Sequence, residues 1–113
     1  MKAQELGRLG EQTAARALQK MGCRLLAMNY RTRFGEIDLI VQDGDTTVFV
    51  EVKTRKDASF AEAAEAVTPA KQERLRAAAQ QWLAEKGEGP ARFDVVEVYT
   101  KDRTIRHIRD AFT

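Results

Sequence analysis

Two short stretches decide the fold of this chain: residues 35–40 read GEIDLI and residues 48–53 read VFVEVK. Both are rich in β-branched and large apolar residues, which is typical of strands inside a sheet. Each stretch nevertheless contains charged residues, which are Asp38, Glu51 and Lys53. Burying an unpaired charge costs several kcal/mol, so charges in such strands require partners, a metal ion or a function.

The two-residue repeat of a β-strand predicts which of these side chains lie together. Glu51 and Lys53 should share one face of their strand with Phe49, and the valines between them should take the other face. Asp38 should share a face with Glu36 and Ile40. If the two stretches form a hairpin that places Asp38 near Glu51, then two acids and one lysine converge on one point.

The rest of the sequence predicts the element order α-β-β-β-α-β-β. Helical spacing of apolar residues predicts a first helix over residues 3–21. Thr68 followed by Pro69 is a typical helix start, and it predicts a second helix that ends near residue 86. Strands are predicted at residues 23–31, 35–42, 46–54, 93–99 and 104–108.

The predicted fold class is α/β, a mixed β-sheet flanked by helices. Asp43 and Gly44 form a favoured turn pair for the hairpin. A crossover through the second helix should place the strand at residues 93–99 parallel to the hairpin region. Residues 55–67 are predicted to form a loop or a short helix.

Length and composition restrict the class of protein. The 113 residues predict one domain over residues 1–113. No apolar run approaches the ~20 residues that span a membrane, and the N-terminus lacks the apolar core of a signal peptide. A single cysteine, Cys23, excludes an internal disulfide and indicates a cytoplasmic location. The only histidine, His107, excludes a histidine-based metal site and Ser-His catalysis.

Asp38 and Glu51 offer the ligands that a hard divalent cation prefers. Mg²⁺ binds oxygen atoms, usually those of one or two carboxylates, with water and substrate phosphate completing the octahedron. The backbone carbonyl of Val52 could be a third ligand. Lys53 could orient the attacking water or stabilise charge on the phosphate. These are the requirements of metal-dependent phosphodiester hydrolysis.

Glu11 is a further acid that the helix could bring to this site. It lies on one helical stripe with Gly7, Ala14 and Leu18, so it leans toward the packed side. A carboxylate there could bind a second metal ion or orient a water. Glu11 could also be a flank residue with no function. The strand charges, in turn, could form a structural ion-pair network.

Basic residues at the ends of the two strands could hold phosphates on either side of the metal. The four are Arg31, Arg33, Arg55 and Lys56. They could instead be solvated charges that pair with acids such as Glu36 or Asp57. Lys71, one turn before Leu75 on the buried face of the second helix, could also reach the site. The net charge of +2 alone says little about nucleic acid.

The chain resembles the bacterial YraN family. The resemblance covers almost the whole chain, and it is carried by Glu11, the blocks at residues 35–40 and 48–55, Lys71, and RFDVV at residues 92–96. That family is grouped with the PD-(D/E)xK nucleases and is similar to archaeal Holliday junction resolvases. Ile37 stands where the proline of the superfamily motif would be.

The resemblance implies a restriction-endonuclease-like fold, a function and a set of roles. It implies an endonuclease that uses Mg²⁺ or Mn²⁺ to cut DNA, in particular branched DNA. Asp38, Glu51 and Lys53 would occupy the nuclease motif, and Glu11 would be the helix-borne acid. Because a resolvase cuts two strands, the resemblance also suggests a homodimer. Two other functions stay open: a non-catalytic nucleic-acid-binding module that retains the fold, and a structural or adaptor protein.

Overall fold

The computed structural model describes residues 2–56 and 67–113. Within these ranges the order of elements is α-β-β-β-α-β-β, as predicted. The elements are α1 (Ala3–Lys20), β1 (Arg24–Arg31), β2 (Glu36–Asp43), β3 (Thr46–Arg55), α2 (Pro69–Lys86), β4 (Ala91–Tyr99) and β5 (Thr104–Phe112). The predicted loop or short helix at residues 55–67 lies mostly outside the described residues. Neither helix in these ranges is long and apolar enough to cross a membrane.

The strands form one mixed sheet in the order β1-β2-β3-β4-β5. Every neighbouring pair is antiparallel except β3 and β4, which are parallel. The connection between these two parallel strands contains α2, as the crossover rule predicts. The α/β class and the mixed sheet are therefore confirmed.

Each face of the sheet carries its own hydrophobic core. On one face, Leu18 of α1 clusters with Val48 and Val50 of β3. On the other face, Trp82 of α2 clusters with Phe49. The predicted alternation along β3 is confirmed, because the valines face α1 and Phe49 faces α2. Glu51 and Lys53 continue the parity of Phe49 toward the α2 face.

The alternation that was expected in β2 does not hold around Asp38. Ile37 and Ile40 both belong to the core on the α2 face, although strict alternation would place them on opposite faces. In the neighbouring strand β1, the position opposite Asp38 is Asn29, which has a left-handed backbone with a φ of 53°. Met28 pairs with Leu39 and Tyr30 with Ile37 on either side of this position, so the register is kept across it. The face that the Asp38 side chain takes stays a prediction.

Local sequence signals fix the start of α2. The Thr68 side chain accepts a hydrogen bond from the Lys71 backbone amide at 3.2 Å, and Pro69 is the first residue of the helix. Both features agree with the predicted cap. The cap places Lys71 in the first turn, at the end of α2 that lies near Glu51.

Candidate metal centre

The carboxyl groups of Asp38 and Glu51 meet where β2 and β3 stop pairing. The last backbone pair toward this end of the hairpin is Leu39 with Val50. Beyond it, Asp38 Oδ2 accepts a hydrogen bond from the Val52 backbone amide at 2.8 Å. The Asp38 side chain also forms a hydrogen bond with Glu51. The structure therefore brings together the two acids that the hairpin was expected to place side by side.

Burial and the neighbouring Glu51 make Asp38 an unusual acid. Burial is the largest cause that raises the pKa of the Asp38 carboxyl from 3.8 to about 8, followed by the hydrogen bond and the negative charge of Glu51. The Val52 amide lowers the pKa, and the charge of Glu11 raises it further. Proximity to a second acid and burial therefore both favour the protonated form of Asp38.

Glu51 is a buried carboxylate with unused bonding capacity. Its exposed fraction is only 6%. The Lys71 ammonium nitrogen lies 3.2 Å from Glu51 Oε2, so α2 supplies a positive charge to this acid. Within the part of the chain that the structure describes, Oε2 accepts no hydrogen bond, so the lysine supplies charge without a well-directed bond. An acceptor oxygen of this kind suits a cation.

Lys53 lies two residues beyond Glu51 and is half-buried. In the parallel register of β3 and β4 it lies beside Glu97. It forms no ion pair with residues 2–56 or 67–113. The lysine that contacts Glu51 is therefore Lys71, and Lys53 is the second cation of the same region.

Glu11 is placed near the acid pair but has its own partner. Asn29 Nδ2 donates a hydrogen bond to Glu11 Oε1 at 2.9 Å. Among the described residues, no three acid, histidine or cysteine side chains are placed to hold one metal ion. Glu11 therefore does not join Asp38 and Glu51 as a third ligand in this arrangement. Asn29 was not identified from the sequence, although asparagine is a residue type that tolerates positive φ.

Three of the predicted phosphate-binding residues are exposed. The Arg31 side chain is 80% exposed, and its Nε lies 3.6 Å from Glu36 Oε1. The Arg33 guanidinium lies over the Phe34 ring, 4.8 Å from the ring centroid. Lys56 is exposed at the end of β3. These side chains remain available for contacts with an anionic ligand.

Arg55 is different, because it belongs to a buried ion pair. Its side chain is 12% exposed, and its Nε lies 3.3 Å from Glu97 Oε2. Arg106 approaches the other oxygen of Glu97 at 3.6 Å. Burial, then the hydrogen bond with Glu97, raises the pKa of Tyr99. Glu97 was not singled out from the sequence, although it interrupts an apolar strand in the same way as Glu51.

Asp94 forms a separate buried network away from the acid pair. Its carboxylate accepts hydrogen bonds from Arg92 Nε at 3.0 Å and from the Asp110 backbone amide at 2.9 Å. His107 Nε2 lies 2.7 Å from Asp94 Oδ2. These contacts join β4 to β5 beside a register shift between Phe93 and Val95. The network therefore joins Arg92 of β4 and His107 of β5 to one buried carboxylate.

The fold and the acid pair together define the class of this protein. A mixed sheet with one helix on each face, and two acids where β2 and β3 separate, is consistent with a restriction-endonuclease-like fold. A family model described as "Uncharacterised protein family UPF0102" matches residues 10–98. The chain belongs to this family, which is the nuclease-like YraN family, and the resemblance seen in the sequence is confirmed.

Curated relatives support the same assignment over nearly the full length. A UPF0102 protein of Pelotomaculum thermopropionicum is 45% identical over 113 aligned residues, which cover 95% of this chain and 94% of the relative. One of Rhodococcus jostii is 46% identical, with 95% of each chain covered. One of Nocardia farcinica is 52% identical, with 84% of this chain and 76% of the relative covered.

Proposed function

We propose that this protein is a nuclease that hydrolyses DNA phosphodiester bonds with Mg²⁺ or Mn²⁺. The observation that carries the proposal is the acid pair itself: Asp38 Oδ2 accepts from the Val52 amide at 2.8 Å, and Glu51, the residue before Val52, is 6% exposed. Two acids in this position repel each other unless a proton or a cation lies between them. The Lys71 ammonium offsets part of the charge of Glu51 from one side only.

The donor atoms of this pair fit a hard divalent cation. Carboxylate oxygens are the usual protein ligands of Mg²⁺, which keeps several waters and binds substrate phosphate. Glu51 Oε2 is a buried oxygen without a hydrogen-bond donor in the described part of the chain, so a cation would satisfy it. The proposal includes the Val52 backbone carbonyl as a further ligand, and Glu11 as the acid that would serve a second ion.

Each residue around the acid pair then has a separate task. A bound divalent cation would stabilise charge on the phosphoryl oxygens and lower the pKa of a water nucleophile. Asp38 and Glu51 would fix its position. Lys53 would orient the water or stabilise charge on the phosphate, and Lys71 would move from Glu51 to the phosphate once a cation offsets the charge of Glu51.

The proposed substrate is DNA, with branched DNA such as a Holliday junction as the preferred form. The exposed residues Arg31, Arg33 and Lys56 would contact phosphates outside the acid pair. Arg55 would act indirectly, because its guanidinium is held by Glu97. We also propose that two copies act as a homodimer on two strands, and that the protein acts in the cytoplasm.

The test is a cleavage assay on a labelled four-way junction, a flap and a linear duplex, each with Mg²⁺ or Mn²⁺. We expect cleavage of the junction, and its loss in Asp38→Asn and Glu51→Gln, because both variants keep the side-chain shape and remove the charge. Asp45→Asn is the matched control, since Asp45 is an exposed acid in the β2–β3 turn. If the parent cuts none of the substrates with either metal at high concentration, the nuclease proposal is wrong.

A second candidate is a nucleic-acid-binding module without catalysis. One observation favours it: Glu11 is held by Asn29, which leaves two acids rather than three at the centre. The same assay separates the two candidates when binding is measured beside cleavage. Binding of the junction without cleavage would support the module, whereas cleavage that depends on Asp38 would exclude it.

A further inference from the structure

A small cavity lies between the β1–β2 loop and α2, next to the acid pair. Its volume is about 140 Å³, and its lining residues are Gly35, Glu36, Lys71, Arg74 and Leu75. Lys71 connects the cavity to the candidate metal centre, because its ammonium lies 3.2 Å from Glu51 Oε2. The volume exceeds what a few waters need, so a phosphate group fits.

The charges on the cavity wall favour an anion. Lys71 and Arg74 supply two cations from successive turns of α2. Arg74 is exposed and forms no ion pair with the described residues. Glu36 is the one acid of the lining, and Arg31 Nε lies 3.6 Å from its Oε1, which offsets its charge. The lining therefore has a net positive charge.

The loop that closes the cavity is fixed in place. The backbone amides of Phe34 and Gly35 donate to Thr32 Oγ1 at 3.0 Å and 3.2 Å. A methyl group on Gly35 would lie 3.3 Å from Arg74 Cβ, so the loop and α2 already pack closely. The cavity is thus preformed, and binding an anion there requires little ordering.

We propose that this cavity binds the DNA phosphate next to the one that is cut, with Arg74 as its main ligand. The inference rests on the proposed function, because it takes DNA as the substrate of the adjacent acid pair. The planar guanidinium of Arg74 can donate two parallel hydrogen bonds to a phosphate, and Lys71 adds a point charge. The subsite orients the strand along α2 and so fixes which bond reaches the acid pair.

Binding of a fluorescein-labelled four-way junction tests the subsite, with Ca²⁺ replacing Mg²⁺ and anisotropy as the readout. We expect Arg74→Ala to raise Kd about tenfold, as for a lost charge-assisted hydrogen bond. The slope of log affinity against log salt should fall by about 1. Arg74→Lys should lie between parent and Arg74→Ala. Lys86→Ala is the control, because it removes the same charge from the far end of α2 and should stay within about twofold of the parent.

Two results would overturn the subsite: an unchanged Kd in Arg74→Ala, or an equal loss in Lys86→Ala, which would indicate general electrostatic attraction. Thermal melts with Mn²⁺ separate this outcome from failure of the proposed function. Arg74→Ala should keep the full Mn²⁺ shift of the parent. If the parent itself shows no shift, the metal centre is wrong, and the anisotropy data still decide whether Arg74 binds the junction.

Discussion

The carboxylate of Asp38 accepts a hydrogen bond from the backbone amide of Val52 at 2.8 Å, just beyond the last backbone pair of β2 and β3. The bond satisfies an amide that would otherwise lose its partner where the strands separate. It also directs the Asp38 carboxyl toward Glu51, the residue before Val52. This hydrogen bond therefore lies where the pairing of β2 and β3 ends, and it holds Asp38 beside Glu51.

This arrangement costs stability in the absence of a cation. Asp38 is half-buried beside a second acid, and both burial and Glu51 raise its pKa. A protein that keeps such a pair gives up folding free energy at a site where another property is needed. Both the loss of folding free energy and the ligand that removes it can be measured.

Manganese should stabilise the protein through the acid pair. A ligand that binds only the folded state adds about 2.7 kcal/mol of stability at 100 times its Kd. We expect a higher melting temperature with Mn²⁺, and no increase for Asp38→Ala or Glu51→Ala. Asp45→Ala should keep the increase, since that acid is exposed in the turn. A parent protein that melts at the same temperature with and without Mn²⁺ would contradict the metal centre.

The stability of the metal-free protein should fall with rising pH because of Asp38. The pKa of its carboxyl is about 8 in the folded state and near 3.8 when unfolded, so the folded state binds this proton more tightly. The contribution is therefore complete below about pH 4 and is lost as the pH rises through about 8. Asp38→Asn stays neutral at every pH and should remove this part of the pH dependence.

Melting temperatures in EDTA at about pH 5.5 and about pH 8.5 measure this effect. The advantage of Asp38→Asn over the parent should grow with pH and reach about 5 °C at the higher value, which corresponds to ~1 kcal/mol in a small domain. Asp45→Asn should follow the parent at both values. Equal pH slopes for the parent and Asp38→Asn would show that the raised pKa does not act on stability.

Replacing Lys71 should separate its two effects on Glu51. Lys71→Met removes the ammonium that lies 3.2 Å from Glu51 Oε2, so the metal-free protein should lose on the order of 1 kcal/mol, a small value because the lysine is 38% exposed. Affinity for Mn²⁺ should rise, since the lysine no longer competes for the carboxylate. Lys86→Met, at the far end of α2, is the control for the second quantity and should leave the affinity for Mn²⁺ unchanged.

Denaturant unfolding without metal gives the first quantity for Lys71→Met, and calorimetric titration with Mn²⁺ gives the second. Weaker Mn²⁺ binding in Lys71→Met would mean that the lysine supports the site rather than competing at it. That result would place Lys71 among the groups that position Glu51, and would remove its proposed transfer to the phosphate.

The acid pair could be predicted from the sequence because the hairpin signals are strong and local. An Asp-Gly pair between two apolar strands predicts a tight turn. In the structure Asp43 pairs with Thr46, so the turn residues are Gly44 and Asp45, one residue later than the predicted pair, and this register places Asp38 opposite Glu51. The faces of β3 were predicted correctly, because Val48, Phe49 and their neighbours alternate without interruption. The Thr68-Pro69 pair also predicted the N-terminal cap of α2 correctly.

Two features of the site could not be predicted because they depend on contacts between distant elements. Asn29 has a left-handed backbone and donates to Glu11, and nothing in the sequence beside Asn29 requires that conformation. The partners of Glu97 could not be predicted from the sequence either, because several arginines could reach it. In the folded sheet Arg55 and Arg106 approach its two oxygens. Strand β5 also runs to Phe112, beyond the predicted end at residue 108, and the Phe112 ring stacks on that of Phe93 with the centroids 4.8 Å apart.

The close packing of α1 on β3 should make Gly10 sensitive to a single methyl group. In Gly10→Ala the new carbon would overlap the Thr54 side chain at Oγ1, so either that side chain or α1 must shift. We expect a loss of about 1–3 kcal/mol in denaturant unfolding. Gly7→Ala is the control, because nothing lies within 4 Å of its Cβ position, and it should gain up to ~1 kcal/mol. Thr54→Ala should restore part of the loss, since it removes the obstructing oxygen.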